Sequence, residues 1–432
     1  MTDTRTTWPA PAVSQPVRAR VSVPGSKSLT NRLLVLAALA EAPSTLRAPL
    51  ISRDTQLMLD AVTALGGSAE LDGDSVRITP IPGVSSSAPV EVACGLAGTV
   101  MRFVPFTSAA AGVSARFDGD EQARVRPMGT VLTALRDLGV AVSSENEALP
   151  FTMTVDSVPR GGSIDIDASR SSQFVSGLLL AAPRFANGLT VRHTGASLPS
   201  VPHIDMTIET LRLAGVAVDT PKPNVWSVRP GPIAPLDVTV EPDLSNAATF
   251  LAAALVTGGE VTVPHWPDRT TQAGDEFRRI AQAFGGECEL TGGELTVRGP
   301  RQLTPVDLDL SSVGELTPVT AAVAAAVGGT SRITGIGHLR GHETDRLSAL
   351  ATELSGLGVK VEESEDSLTI TGQPSHSVSP RTDRGWNTYA DHRMVMAGAV
   401  LGLVTPGLVI NDPDTVGKTL PAFTRMWDEA FG

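Results

Sequence analysis

The stretch "TIETLRLAGVAVDTPKPNVWSVRP", Thr207 to Pro230, decides the fold. It reads as helix-spaced apolar residues, a glycine, a β-like run, a Pro/Asn-rich turn and a second β-like run. The same phrase returns as "MLDAVTALGGSAELDGDSVRITPI", "VLTALRDLGVAVSSENEALPFTMTV", "EFRRIAQAFGGECELTGGELTVRGP" and "RLSALATELSGLGVKVEESEDSLTITG". Its marker glycines are Gly66, Gly139, Gly215, Gly285 and Gly358, about 73 residues apart, and Gly432 closing "FTRMWDEAFG" is one more step. Six units fill the chain.

Between these phrases lies a second, alanine-rich helical pattern: "GSKSLTNRLL", "LAGTVMRFV", "SRSSQFVSGLLL", "PDLSNAATFLAAAL", "VGELTPVTAAVAAAV" and "YADHRMVMAGAVL". Each opens on a polar or glycine cluster with an N-capping residue, and Lys27, Thr99, Ser172, Ser245, Thr317 and Asp391 recur at one phase. Each unit therefore holds two helices and several short strands, with parallel pairs and a hairpin. That is an α/β architecture, and six units predict two domains of three.

The composition narrows the partners. With 34 basic and 46 acidic residues the net charge is -12, which repels nucleic acid and anionic membranes, so any anionic ligand is small and held by local charge. The chain of 432 residues, 41% hydrophobic, has room for two packed domains. Met1 to Gln15 lacks the apolar segment of a secretory signal and reads as a loose tail. Cys94 and Cys288 cannot build a disulfide framework or a metal cluster, and read as buried small hydrophobes of a reduced cytoplasmic protein. The apolar run "MVMAGAVLGLVTPGLVI" is broken by glycines and Pro406, so it predicts a helix followed by a strand rather than a membrane span.

Twelve helix starts are chemically useful, because each offers unpaired N–H groups and a partial positive charge to an anion. The unusual polar residues fall there. Lys27, Ser28, Gly98, Arg102, Ser171, Ser172, Gln173, Asp391, His392 and Arg393 sit at starts of the alanine-rich helices, and Arg126, His203, Glu343, Arg346 and Lys418 at or just ahead of starts of the amphipathic ones. Lys27 is not part of a nucleotide phosphate loop, since only Gly25 precedes it where that loop needs two spaced glycines. A single Ser-Lys-Ser or Asp-His-Arg is ordinarily a cap with a solvated charge. Recurrence at repeat-equivalent positions instead predicts a binding site for a small polyanion.

"PGSKSLTNR", "LAGTVMRF", "SRSSQFVSGLL", "GHETDRL", "YADHRM" and "GKTLP", in that order over nearly the whole chain, resemble the 5-enolpyruvylshikimate-3-phosphate synthases. The resemblance implies an enolpyruvyl transferase-like inside-out α/β barrel: two similar domains, each of three βαβαββ repeats, joined by two crossings and closing on their substrates. The crossings would fall near Pro24 and Glu241, giving residues 1–23 with 241–432 as one domain and 24–240 as the other. It also implies transfer of the enolpyruvyl group from phosphoenolpyruvate to shikimate 3-phosphate, in the shikimate pathway, by a cytoplasmic monomer needing neither metal nor organic cofactor.

Carried over residue by residue, the phosphoenolpyruvate site would comprise Lys27, Gly98, Arg126, Arg346, Arg393 and Lys418. Arginine's planar fork suits a carboxylate or a phosphate. The shikimate 3-phosphate site would comprise Ser28, Arg32, Ser171, Ser172, Gln173, Ser200, Glu315 and His342. Lys27, Glu315 and Glu343 would serve the proton transfers, Glu343 as the acid at the methylene and Glu315 as the base on the hydroxyl. Gly98 further implies sensitivity to glyphosate, which in that family occupies the phosphoenolpyruvate position.

Several positions depart from the family's commonest pattern. Glu315 stands for a frequent aspartate, His342 for a lysine, His203 for a tyrosine, and His338 and Leu96 for asparagines. These changes touch substrate contacts more than chemistry. His193 and His265 fall outside any motif and read as structural. Three rival identities fit the residues less well. The sister transferase acting on a UDP-linked amino sugar carries a cysteine in the loop here written "DGDEQARVRPMG", and there is none. An RNA 3'-phosphate cyclase would need a basic surface. A non-catalytic anion-binding protein would have no use for Glu343 among the cations.

Overall fold

The computed structural model describes residues 6–83, 88–374 and 385–432. The marker glycines do what their place in the repeat demands. Gly66, Gly139, Gly215, Gly285 and Gly358 follow the ends of amphipathic helices and have φ of +100°, +86°, +78°, +94° and +81°. This left-handed conformation lets the chain turn from helix into strand, and glycine takes it without a β-carbon penalty.

The two helix patterns take different places. The alanine-rich helices Lys27–Leu39, Gly98–Ala111 and Gln173–Ala181 pack on one another, as do Leu244–Thr257, Thr317–Ala325 and His392–Gly402. They are buried almost all round, the expected fate of helices apolar on every face. Small residues permit the close approach: a β-carbon at Gly177 would lie 2.3 Å from the carbonyl oxygen of Arg102. The amphipathic helices, such as Arg53–Ala64 and Pro202–Leu213, bury one face only. The run from Met394 to Ile410 is the predicted helix, His392–Gly402, followed by the strand Val409–Asn411.

Among the described residues five four-stranded sheets share one plan. Val90–Ala93 runs parallel to Ala115–Asp118 across the Gly98–Ala111 helix. Ala115–Asp118 then pairs antiparallel with Phe151–Thr154, and Ala141–Ser144 forms the edge. Two sheets borrow their first strand from far along the chain: Asp237–Thr239 lies parallel to Ser44–Arg47, and Arg18–Arg20 parallel to Glu260–Pro264.

These borrowings bind each set of three repeats into one body. The chain forms two compact units, Gly25–Val240 and Met1–Pro24 with Glu241–Gly432. Each has its own apolar core, one holding Leu36, Phe103, Phe106 and Leu179 and the other Phe250, Leu316, Val395 and Trp427.

The tail expectation was wrong for its described part. Thr7–Pro9 is a strand paired antiparallel with Val409–Asn411, and the Trp8 ring lies 6.2 Å from that of Phe423. Residues 1–5 of the expected tail lie outside the described residues. The hairpin expected in every unit is likewise missing from the repeat around His392–Gly402 among the described residues. There Trp386 bridges in parallel to Ile410, and Thr7–Pro9 takes the antiparallel place that a hairpin strand takes elsewhere. An open sheet edge is a liability that a spare strand covers, and alternation in "TTWPAP" is too short to announce that job. Cys288 is also not fully buried: it sits half-buried on the strand Glu287–Thr291, whereas Cys94 is completely buried.

Candidate active site

In the Gly25–Val240 unit the N-termini of the three inner helices converge. Asn31 Nδ2 donates to Thr99 Oγ1 at 2.8 Å, tying the first helix to the start of the second. Arg102 Nη1 donates to Gln173 Oε1 at 2.8 Å and lies 3.5 Å from Ser171 Oγ, tying the second to the third. A β-carbon at Gly98 would meet Arg126 Nη2 and Gln173 Oε1, each at 3.2 Å. Gly98, Arg126, Ser171 and Gln173 therefore stand together, over helix ends that already favour an anion.

Lys27 opens the first inner helix, with Ser26 as its N-cap, and its Nζ lies 3.6 Å from Asp54 Oδ2. Arg126 is buried; Nη1 donates to the Leu96 carbonyl at 3.1 Å, while its Nε has no protein acceptor. Leaving a buried charged donor unmet costs at least about 1–3 kcal/mol. Ser172 is the buried cap of the third helix, and Ser28 is half-buried in the first turn of the first.

Arg32 lies deep in this unit. It is 2% exposed, and its guanidinium donates to Thr207 Oγ1 and to the carbonyls of Ser28 and His203. Ser200 stands just before the Pro202–Leu213 helix with φ +53°, a left-handed conformation that costs a non-glycine residue of order 1–3 kcal/mol.

The second unit repeats the convergence with a different charge pattern. Arg393 Nη1 donates to the Ser245 carbonyl at 3.0 Å, and Ser245 Oγ lies 3.5 Å from Glu315 Oε1, so the starts of these three inner helices also meet. Arg346, 3% exposed, donates to Asp391 Oδ2 at 2.8 Å and to Glu343 Oε2 at 2.9 Å. Lys418 Nζ donates to the other Glu343 oxygen. His342 Nδ1 lies 3.4 Å from Arg346 Nη1.

Burial acts against the Arg346 charge, but the carboxylates of Asp391 and Glu343 outweigh it and hold its pKa above the ordinary value. For Arg393 burial wins over Asp243 and Glu315, and its pKa falls below the ordinary range. His338, beside Gly314, is lowered mainly by burial, against the pull of Glu315. Among the described residues no group of three or more His, Cys, Asp or Glu side chains is placed to hold a metal ion, and no helix is long and apolar enough to cross a membrane.

Similar proteins place the chain in a family. The profile of the EPSP synthases (3-phosphoshikimate 1-carboxyvinyltransferases) matches residues 11–427. A 3-phosphoshikimate 1-carboxyvinyltransferase of Kocuria rhizophila is 53% identical over 436 residues, covering 98% of this chain and 96% of its own. The chain belongs to the EPSP synthase family. Its fold is also that of an EPSP synthase from Acinetobacter baumannii (TM-score 0.82, 24% identity, 99% of this chain and 98% of that one). The enolpyruvyl transferase NikO from Streptomyces tendae follows at TM-score 0.75 and 17% identity, over 97% and 96% of the two chains.

Sequence reading missed one part of this candidate site, Asp54, and understated two others. Asp54, 2% exposed, faces Lys27 with its Oδ1 unpaired. An acidic residue in the first turn of an amphipathic helix is so common that nothing sets it apart. Asp391 reads in sequence only as a helix cap, yet its carboxylate also holds Arg346, and Arg102 reads only as a helix-start cation, yet it ties two helix ends together.

Proposed function

We propose that this chain is a 3-phosphoshikimate 1-carboxyvinyltransferase, transferring the enolpyruvyl group of phosphoenolpyruvate to the 5-hydroxyl of shikimate 3-phosphate with release of phosphate. What carries the reading is the family match over residues 11–427 in a chain whose motif cations stand at two gatherings of helix N-termini.

The hydroxyl oxygen attacks C2 of phosphoenolpyruvate while C3 takes a proton, forming a tetrahedral ketal phosphate. A proton then leaves the new methyl group, the C2–O bond to phosphate breaks, and the double bond returns. Lys27, Arg126, Arg346, Arg393 and Lys418, with the backbone at Gly98, hold phosphoenolpyruvate and the departing phosphate. The unmet Nε of Arg126 supports a ligand there. Ser28, Ser171, Ser172, Gln173, Ser200, Glu315 and His342 serve shikimate 3-phosphate, and Arg32 supports Ser28 from beneath.

Glu343 supplies the proton to C3. Lys418 and Arg346 both sit on its carboxylate, which favours the ionised form. An incoming phosphate or carboxylate that engages these cations weakens that hold, so substrate binding itself prepares the acid. Glu315 takes the hydroxyl proton, and Lys27 assists. The two units of the chain act as the enzyme's two domains. We further take the enzyme to be a cytoplasmic monomer with no nucleic-acid or membrane partner, inhibited by glyphosate in competition with phosphoenolpyruvate.

The test is release of inorganic phosphate on mixing the purified protein with both substrates, without added metal. Phosphate must appear only when both are present. No release above either single-substrate control would end this reading.

A further inference from the structure

We propose that Glu353 is a positioning residue for the transfer reaction: it clamps the segment Asn387–Tyr389 so that Asp391 can hold Arg346 and Arg393 in place. The inference rests on the functional reading above. Glu353 lies in the Arg346–Gly356 helix and is 3% exposed, a costly place for a carboxylate unless its oxygens are met. Asn387 and Tyr389 meet both of them. Oε2 accepts from the Asn387 backbone N–H at 3.1 Å; Oε1 accepts from Asn387 Nδ2 at 3.2 Å and from Tyr389 Oη at 2.6 Å.

The backbone at the end of that stretch is strained. Tyr389 and Ala390 both adopt left-handed φ, +53° and +54°, although neither is glycine. Two such residues in succession persist only where the surroundings over-determine them, and such strain collects at functional sites. The turn delivers Asp391, whose Oδ1 caps the next helix by accepting from Arg393 N at 2.8 Å and whose Oδ2 accepts from Arg346 Nε at 2.8 Å. Arg346 and Glu353 are seven residues apart on one helix, two turns, and so share a face. The same helix face thus grips the segment twice, Glu353 at Asn387 and Tyr389 and Arg346 at Asp391. Asn411 Nδ2 donates to Asn387 Oδ1 at 3.0 Å and anchors the near end to the Val409–Asn411 strand. Without Glu353 the left-handed pair loses its tether to this helix on the N-terminal side, and relaxation there carries the Asp391 carboxylate away from both arginines.

Tyr389 is the chain's single tyrosine, so ring-labelled tyrosine gives one resonance. The experiment compares wild type, Glu353→Gln, Tyr389→Phe and the double variant in initial-rate kinetics for both substrates. The tyrosine resonance and amide exchange of residues 386–394 are followed in the Tyr389-containing proteins. In Glu353→Gln the KM for phosphoenolpyruvate rises on the order of tenfold or more, as displaced binding groups do. The KM for shikimate 3-phosphate rises clearly less, because most of the groups assigned to it lie in the Gly25–Val240 unit and only Glu315 and His342 lie near Arg346. Tyr389→Phe has a smaller effect, and the double variant loses less than the sum of the two single losses, since the Tyr389 bond is one of three that the Glu353 carboxylate accepts from this segment. The tyrosine signal shifts and exchange quickens in residues 386–394 but not in the Gly25–Val240 unit. Equal rises in both KM values, additive losses in the double variant, or an unmoved tyrosine signal with unchanged exchange would each overturn the clamp. Failure of the wild type to release phosphate would instead strike the functional reading, and the resonance and exchange results would still decide whether the clamp exists.

Discussion

The two helix-end gatherings are built on one plan and charged differently. Around Gly98 the polar side chains are hydroxyls, an amide, Arg102 and Arg126, the last with an Nε that lacks a protein acceptor, and one buried acid, Asp54, is set against Lys27. Around Arg346 the cations are already engaged by Glu343 and Asp391. The first arrangement is preorganised for an anion; the second must exchange one anion for another. In the proposed mechanism that exchange lets a substrate alter the protonation of Glu343, while the Gly98 gathering holds and orients the substrates and adds Lys27 to the proton transfers.

The sharpest way to break this comparison is to remove the proton-handling groups. Lys27→Met and Glu343→Gln should each lower kcat by at least about 10²-fold, with circular dichroism showing the fold kept. Either variant turning over at near-normal kcat in a coupled phosphate assay removes that residue from the mechanism.

Gly98→Ala tests the preorganised gathering. Its β-carbon would sit 3.2 Å from Arg126 Nη2 and Gln173 Oε1, so these groups must shift by a few tenths of an ångström. The KM for phosphoenolpyruvate should rise roughly tenfold with kcat nearly kept, the mark of lost binding rather than lost chemistry. A tenfold fall in kcat at unchanged KM would contradict it.

A third change asks whether the two units differ in stability as they do in charge. Trp8 is half-buried, stacks edge-on against Phe423 and donates to Asp428 Oδ1 at 3.3 Å. Trp8→Ala should cost about 2 kcal/mol, read from urea unfolding. Burial pushes the Cys288 thiol up to about 11 and the Cys94 thiol up to about 12, so both label slowly in the folded protein at pH 8. In Trp8→Ala, Cys288 labelling should quicken while Cys94 labelling does not; equal acceleration would mean that the units open together.

The smallest effect concerns acid. Burial lowers the folded-state pKa of His338 below its ordinary 6.5. As pH falls below that value the unfolded chain binds the proton first, so the contribution present at neutral pH is lost on acidification. His338→Asn should flatten the slope of stability against pH below 6.5. An unchanged slope assigns the acid sensitivity to other groups.

The repeat was legible because periodicity survives sequence drift: the marker glycines are demanded by a backbone conformation, and the two helix patterns by burial on every face or on one. The motif cations were legible as residues too polar for their places. Asp54 and Glu353 were not, since acids in amphipathic helices are ordinary and only the partner across space gives them meaning. Thr7–Pro9 was hidden for a like reason, because its pairing partner stands about 400 residues away.

The sequence by itself determined the module, its repetition, and which polar residues stand at helix starts, because these come from local conformational preference and apolar spacing. Tertiary structure alone decided which of those residues meet, which cations are already answered by carboxylates, and that Arg32 lies beneath the surface. Distances of a few ångströms between residues far apart in the chain govern electrostatics and hydrogen bonding, and no local pattern encodes them.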